Sequence, residues 1–252
     1  GLGTRLRDIS SGLPKPMVNV GPRPILWHIM KYYAHYGHKD FILCLGYKAD
    51  VIKNFFLEYN PCLSTDFTVS NGSREVHLNE SDVSDWRITC VDTGLTSNIG
   101  QRLKAVEKYV KDEEYFLANY SDVLTDLPLP DMINVFKNSG TVASFVCVKP
   151  SQSFSVVSLG EEDHVERIEY VRSTNLIING GYFVFKNEIF RHMRDGEELV
   201  VEPFERLIKE KKLLGYKYDK FWHCMDTFKE QQQLNDMYEG GNAPWEVWKV
   251  RK

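Results

Sequence analysis

The sequence predicts an α/β fold of the Rossmann-like, doubly wound kind, with a mixed but largely parallel sheet and a small substrate-side subregion. Three observations carry that reading. Short continuous apolar runs at 41–45, 115–118 and 142–148 have the character of strands covered on both faces. Segments of helical period separate them, giving the β–α alternation of a parallel sheet. Thr93-Gly94, Asp122 and Asp226 each follow a strand-like run, where open α/β sheets bind their ligands.

Taken in order, the chain opens on a loop, Gly1-Leu-Gly-Thr-Arg-Leu-Arg7, with Pro14-Lys15-Pro16-Met17 close behind. Glycine lets backbone N–H groups approach an anion closely, and successive N–H groups form a nest for phosphate oxygens. Arg5, Arg7 and Lys15 add the positive charge that a polyphosphate requires. Pro24 then opens a helix with apolar positions 26, 29, 30 and 33, and Gly37 stops it. Strand 41–45 leads through Gly46 to a second helix, with Val51, Ile52, Phe55 and Phe56 on one side. Residues 60–90 break the rhythm: 66–70 and 75–78 form a hairpin around Asn71-Gly72, and strand 86–91 runs into Asp92-Thr93-Gly94. Helix resumes near Gln101, with Leu103, Val106 and Val110 inward. Strand 115–118, a helix at 130–138 and strand 142–148 complete the regular part. Beyond it lie short strands near 154–159, 165–171 and 181–185, a helix at 202–212 and strands at 213–218 and 221–224. A final helix, capped by Thr227, reaches about Tyr238. The segment 240–252 has no period of its own, and its Trp245 and Trp248 call for docking on the body or on a neighbouring subunit. The chain reads as one domain, 1–252, with a hairpin insertion at 60–90 and a docking tail.

The totals narrow the function. At 252 residues, 42% hydrophobic and 26% charged, the chain has an ordinary globular composition. A net charge of −4 argues against a general nucleic-acid binder, and no apolar run approaches the roughly 20 residues of a membrane span. The five scattered cysteines contain no C-x-x-C, which argues against zinc and a disulfide framework and fits a reducing cytoplasm. Cys44 and Cys147 lie in strand-like runs and are expected to be small core residues. Asp122 and Asp226, brought together from two strands, could hold Mg²⁺, which favours oxygen ligands shared with substrate phosphates.

The opening loop with Pro14-Lys15-Pro16-Met17 resembles that of the sugar-1-phosphate nucleotidylyltransferases, most nearly their CTP-using members. Matching stretches run end to end: 21–30, Gly46-Tyr-Lys48, Glu75-Val-His77, Trp86, 91–94, Arg102-Leu-Lys104, Tyr120-Ser-Asp122, Ile178-Asn-Gly-Gly181, Phe221-Trp222, Met225-Asp-Thr227 and Ala243-Pro-Trp245. The resemblance implies a nucleotide-diphospho-sugar transferase type of fold and transfer of CMP from CTP to a small phosphorylated acceptor, by default a sugar 1-phosphate such as glucose 1-phosphate. It further implies Mg²⁺ and a homo-oligomer. Gly1, Gly3, Thr4, Arg5 and Lys15 would bind the nucleotide phosphates, and Thr93 and Gly94 the cytosine ring. Asp122 and Asp226 would hold Mg²⁺; Glu169 and Asn179 would face the sugar. His77 and Trp86 match family positions, where core packing explains them equally well. In that family a buried strand precedes the loop, and it is expected to lie outside this sequence.

Two departures stand out. Ser121 and Val123 replace glycines that flank the first metal carboxylate in the family, and Tyr170 stands where a lysine contacts the acceptor phosphate. Arg172, two residues on, could take over that contact by reaching about 7 Å back along a strand. These changes leave two other readings open, a non-sugar acceptor such as an amino-acid phosphate and a relative that binds without turnover. The base rests on the single Thr93-Gly94 pair, which leaves a uridylyl or thymidylyl donor open as well.

Overall fold

The computed structural model describes residues 12–73, 75–78, 83–151 and 154–249. The expectations placed on Gly1, Gly3, Thr4, Arg5 and Arg7 lie outside the described residues.

A two-residue ladder comes first, β1 (Asn19–Val20) against β2 (Arg23–Pro24). Gly21 turns between them at φ +60°, and a Cβ there would stand 2.4 Å from the Tyr238 ring, so only glycine fits. Helix α1 (Ile25–His35) starts from Pro24 and is buried almost all round, from Ile25 through Ala34 except Lys31. The single apolar stripe read from positions 26, 29, 30 and 33 is therefore too narrow; Trp27, His28 and Tyr32 are covered as well. Strand β3 (Asp40–Leu45) and helix α2 (Ala49–Leu57) follow, then the hairpin β4 (Phe67–Ser70) and β5 (Glu75–Leu78). Its connection is longer than the two-residue turn of the sequence reading, yet Asn71 and Gly72 both take positive φ, as that pair favours.

Next come β6 (Arg87–Asp92), α3 (Ile99–Ala105), α4 (Glu107–Val110), β7 (Tyr115–Asn119), β8 (Val123–Thr125), α5 (Leu129–Ser139) and β9 (Ala143–Val148). A second hairpin, β10 (Ser155–Leu159) with β11 (Val165–Tyr170), precedes β12 (Ile178–Lys186). The chain then forms α6 (Glu202–Lys209), β13 (Leu213–Lys217), β14 (Trp222–Cys224) and α7 (Phe228–Glu239).

The main sheet has the order β13-β9-β12-β7. β13 and β9 are parallel, but β12 runs antiparallel to both β9 and β7, so the sheet is mixed rather than largely parallel. Successive side chains of β12 go to opposite faces and define two cores. Tyr182 and Val184 pack with α1 and α5; Phe183 and Phe185 pack with α3, α4 and α6. Helices thus cover both faces. β3 and β6 form a parallel pair, and β8 and β14 an antiparallel one.

The cysteine expectation needs correcting. Cys44 is exposed and Cys147 half-buried. Among the described residues β3 is paired on one side only, with β6, which leaves Cys44 open. Cys147 stands beside Gly215, which has no side chain to cover it. In the tail, Trp245 is buried and its Nε1–H donates to Nδ1 of His28 at 3.2 Å, while Trp248 packs edge-on against Trp27.

Candidate active site

The site is built where β8 and β14 pair. Their register sets Cys224 across from Val123, and the Met225 N–H donates to the Asp122 carbonyl at 2.9 Å. Asp122, just before one strand, and Asp226, just after the other, therefore emerge at the same end of the ladder. Lys15 arrives from a single 3-10 turn, Lys15–Met17, in which Pro14 and Pro16 restrict the backbone. Its ammonium donates to Asp122 Oδ2 at 2.6 Å and also to Asp226 Oδ1. Burial works to lower the lysine pKa, but the two carboxylates outweigh it and hold the pKa above its usual value, so Lys15 stays charged through the neutral range.

Ser121 and Val123 leave this convergence intact. Neither takes a positive φ, so neither position demands glycine, and Val123 is buried in the larger core. On the Asp226 side the turn is held by Glu230 of α7. Its carboxylate accepts from the Asp226 N–H at 2.7 Å and the Thr227 N–H at 2.8 Å. Cys224 faces the same carboxylate, and burial, reinforced by Glu230 and Asp226, pushes its thiol up to about 12.

Thr93 and Gly94 lie at the end of β6, but the Thr93 hydroxyl is already committed. It donates to the Leu45 carbonyl at 2.8 Å and accepts from Arg102 Nη1 at 2.7 Å. Gly94 sits at φ +92° with its N–H on Asp92 Oδ1, and a Cβ there would stand 2.7 Å from Ser97 Oγ. Arg102, on α3, thus braces this corner. No local pattern in the sequence marks this role, because both contacts come from residues distant along the chain or across a turn. Lys48 likewise carries no local signal of its contact: its ammonium bonds the Gly12 carbonyl, where the described part of the chain begins.

Across the site, Asn179 on β12 accepts from the Gly181 N–H at 2.9 Å, and its amide reaches the Tyr120 hydroxyl at 3.5 Å. Gly181, at φ +75°, lets the Tyr120 ring pack where a Cβ would be 2.8 Å away, and Trp222 Nε1–H donates to the Gly180 carbonyl. These contacts join Asn179 to the segment carrying Asp122. Glu169 pairs with Arg167 at 2.9 Å on one face of β11. Tyr170, its neighbour, goes to the opposite face and is 68% exposed. Arg172 donates Nε–H to the Ser151 carbonyl at 3.1 Å and lines an open groove with His223, Gln233 and Asp236 beside α7. Trp86 packs on Phe41, whereas His77 stands exposed on β5, which removes core packing as its explanation.

Two converging oxygen ligands form a donor set that fits Mg²⁺, which commonly takes one or two carboxylates and completes its shell with water and substrate phosphates. Among the described residues no cluster of three or more His, Cys, Asp or Glu side chains forms a self-sufficient metal cage.

Residues 1–229 match the family model described as Nucleotidyl transferase. The chain belongs to that family. The transferase is 37% identical over 249 residues to a glucose-1-phosphate cytidylyltransferase of Salmonella typhimurium, covering 98% of this chain and 96% of the relative. Its fold is similar to that of a UTP-bound UGPase from Acinetobacter baumannii, with a TM-score of 0.67 at 16% identity over 94% of this chain and 90% of that one. An apo UDP-glucose pyrophosphorylase gives a TM-score of 0.69 at 12% identity, with 96% of each chain covered. This is a sugar-1-phosphate nucleotidyltransferase, and none of its described helices is long and apolar enough to cross a membrane.

Proposed function

We propose that the transferase moves CMP from CTP to a sugar 1-phosphate, with glucose 1-phosphate as the acceptor, in a Mg²⁺-dependent reaction. The observation that carries this reading is the meeting of Lys15, Asp122 and Asp226 at one point; the nearly full-length similarity to a cytidylyltransferase supports the choice of CTP. An oxygen of the acceptor phosphate forms a new bond to the α-phosphorus of CTP. The bond from that phosphorus to the bridging oxygen breaks, and pyrophosphate leaves with the electron pair. An acceptor phosphate is already ionised near neutral pH, so positioning and charge neutralisation do the catalysis without a general base. Bound Mg²⁺ would neutralise charge on the phosphoryl oxygens. Asp122 and Asp226 would hold that ion, while Lys15, released from between them, turns its ammonium to the phosphates.

At the base side, the Thr93 hydroxyl is occupied, so the polypeptide at Gly94 is left to meet the cytosine, with Arg102 fixing that segment. On the acceptor side, Asn179 and Glu169 are assigned to the sugar. Tyr170 is exposed on the face of β11 opposite Glu169, so Asn179 and Glu169 are kept as the sugar contacts and a sugar phosphate as the acceptor. Apolar hairpin faces left open, Phe67 and Val69 with Val76 and Leu78, support self-association. The test is pyrophosphate release with Mg²⁺ from each nucleoside triphosphate against a panel of sugar 1-phosphates and non-sugar phosphates. CTP with glucose 1-phosphate is the expected pair; release with a different base or with a non-sugar phosphate alone would overturn the assignment.

A further inference from the structure

Glu230 does more than cap a helix. Thr227 is the N-cap of α7, and the two side chains form a capping box: the Thr227 hydroxyl accepts from the Glu230 N–H, and the Glu230 carboxylate accepts from the Thr227 N–H. Such a box engages the N-cap and the third helical residue only. Here the same carboxylate oxygen takes a further bond, from the N–H of Asp226, at 2.7 Å, the shortest of its contacts. Its other oxygen faces the Cys224 thiol.

The geometry matters because Asp226 lies in a connection with few other restraints. Between Cys224, the last residue of β14, and Thr227 there are only two residues. Met225 is tied on one side through its N–H to the Asp122 carbonyl. The next peptide N–H, that of Asp226, is tied on the other side to Glu230. Together the two bonds fix successive peptide planes, and hence the direction in which the Asp226 carboxylate leaves the backbone toward Asp122 and Lys15.

We propose that Glu230 is a positioning residue for the reaction, setting the Asp226 carboxylate toward the divalent cation by holding the Asp226 main chain. This rests on the reading of Asp122 and Asp226 as the metal carboxylates. Groups that orient metal ligands from behind typically change metal affinity by 10–100-fold when removed, and a main-chain tie to the ligand residue belongs to that class.

The test is Mn²⁺ binding to the full chain without nucleotide, followed by calorimetric titration, together with the thermal midpoint. Glu230→Ala should weaken Mn²⁺ binding about tenfold. Thr227→Ala removes the reciprocal half of the cap but leaves the Asp226 bond, so it should lower the midpoint while keeping Mn²⁺ affinity within about twofold of the parent. Glu230→Gln retains an acceptor oxygen without the charge and should recover most of the affinity. If the alanine chain fails to fold, Glu230→Asp, which withdraws the carboxylate by one methylene, takes its place and should show the same weakening. Unchanged Mn²⁺ affinity in the folded variant would overturn the proposal. So would equal losses in Thr227→Ala, which would reduce Glu230 to a helix cap, or equal losses in Gln and Ala, which would reduce it to a charge. Asp226→Asn measured alongside separates the two levels. If it binds Mn²⁺ like the parent, the metal site itself is misassigned; if it loses Mn²⁺ while Glu230→Ala keeps it, only the role of Glu230 falls.

Discussion

Lys15→Met removes the ammonium between Asp122 and Asp226 while keeping a side chain of similar length. Without metal, the two carboxylates then face each other with no counter-charge. A hydrogen bond to a charged group contributes roughly 1.5–3 kcal/mol. The bond to Asp122, whose side chain is 25% exposed, belongs in the lower half of that range. The one to Asp226, at 36% exposed, is discounted further for solvent screening. The loss is about 2 kcal/mol in all, which for a chain of this size lowers the melting midpoint by on the order of 6 °C. A divalent cation neutralises the same two carboxylates and should restore that loss, since a ligand at a hundred times its Kd contributes about 2.7 kcal/mol. In the wild type the cation must first displace the ammonium, so its stabilising effect is smaller. Melting curves in EDTA and in Mg²⁺ should therefore show a larger Mg²⁺ gain for Lys15→Met than for the wild type. Pyrophosphate release by the variant stays lost, because no ammonium remains for the phosphates. Equal gains in the two proteins, or an unchanged midpoint in EDTA, would refute the idea that Lys15 and the cation compete for one place.

Asp122→Asn and Asp226→Asn should each remove most turnover with the circular dichroism spectrum unchanged; near-normal rates in both would break the metal assignment. Tyr170→Lys should leave the KM for the acceptor within about threefold, because its side chain faces outward, and a tenfold drop in KM would place that position in the pocket after all. His28 is buried and donates from Nε2 to the Val20 carbonyl while Nδ1 accepts from Trp245. Burial drives its imidazole down to about 4, against about 6.5 in the unfolded chain. The unfolded state takes up the proton first, so stability is full above about pH 6.5 and falls by on the order of 3 kcal/mol toward pH 4. Urea unfolding across that window should lose much of this slope in His28→Asn, and identical slopes would locate the titration elsewhere.

The residues that form the Lys15–Asp122–Asp226 cluster are legible because their signals are local. Asp122 and Asp226 each stand beside a strand readable from a short apolar run, and Lys15 is marked by flanking prolines. That the two carboxylates meet was an inference from strand ends, and the pairing of Val123 with Cys224 supplies the reason. Thr227 announced its helix through its own side chain. Arg102 leaves no local signal because its partners, Thr93 and Leu45, are fixed by three-dimensional approach. Glu230 is legible as the last residue of a Thr-x-x-Glu capping box, but its bond to the Asp226 N–H is not, since a backbone N–H leaves no pattern in residue types. The burial of α1 on nearly all sides was hidden for a similar reason: Trp27 and His28 are covered by a tail more than 200 positions away. Glu169 and Tyr170, adjacent on β11, point to opposite faces of that strand, an orientation that a shared motif does not carry.

The pairing of Lys15 with Asp226 spans 211 positions, and that separation has a consequence for biosynthesis. During translation the loop residues leave the ribosome long before the second carboxylate is made, and domains generally fold as units rather than site by site. Lys15 can meet Asp122 early, but a polypeptide that stops short of β14 and α7 lacks the second carboxylate, Asp226, and the Glu230 bond that ties its main chain. Unfinished chains should therefore be inert toward nucleotide turnover, and competence should appear in one late step, when the last strand closes against β8.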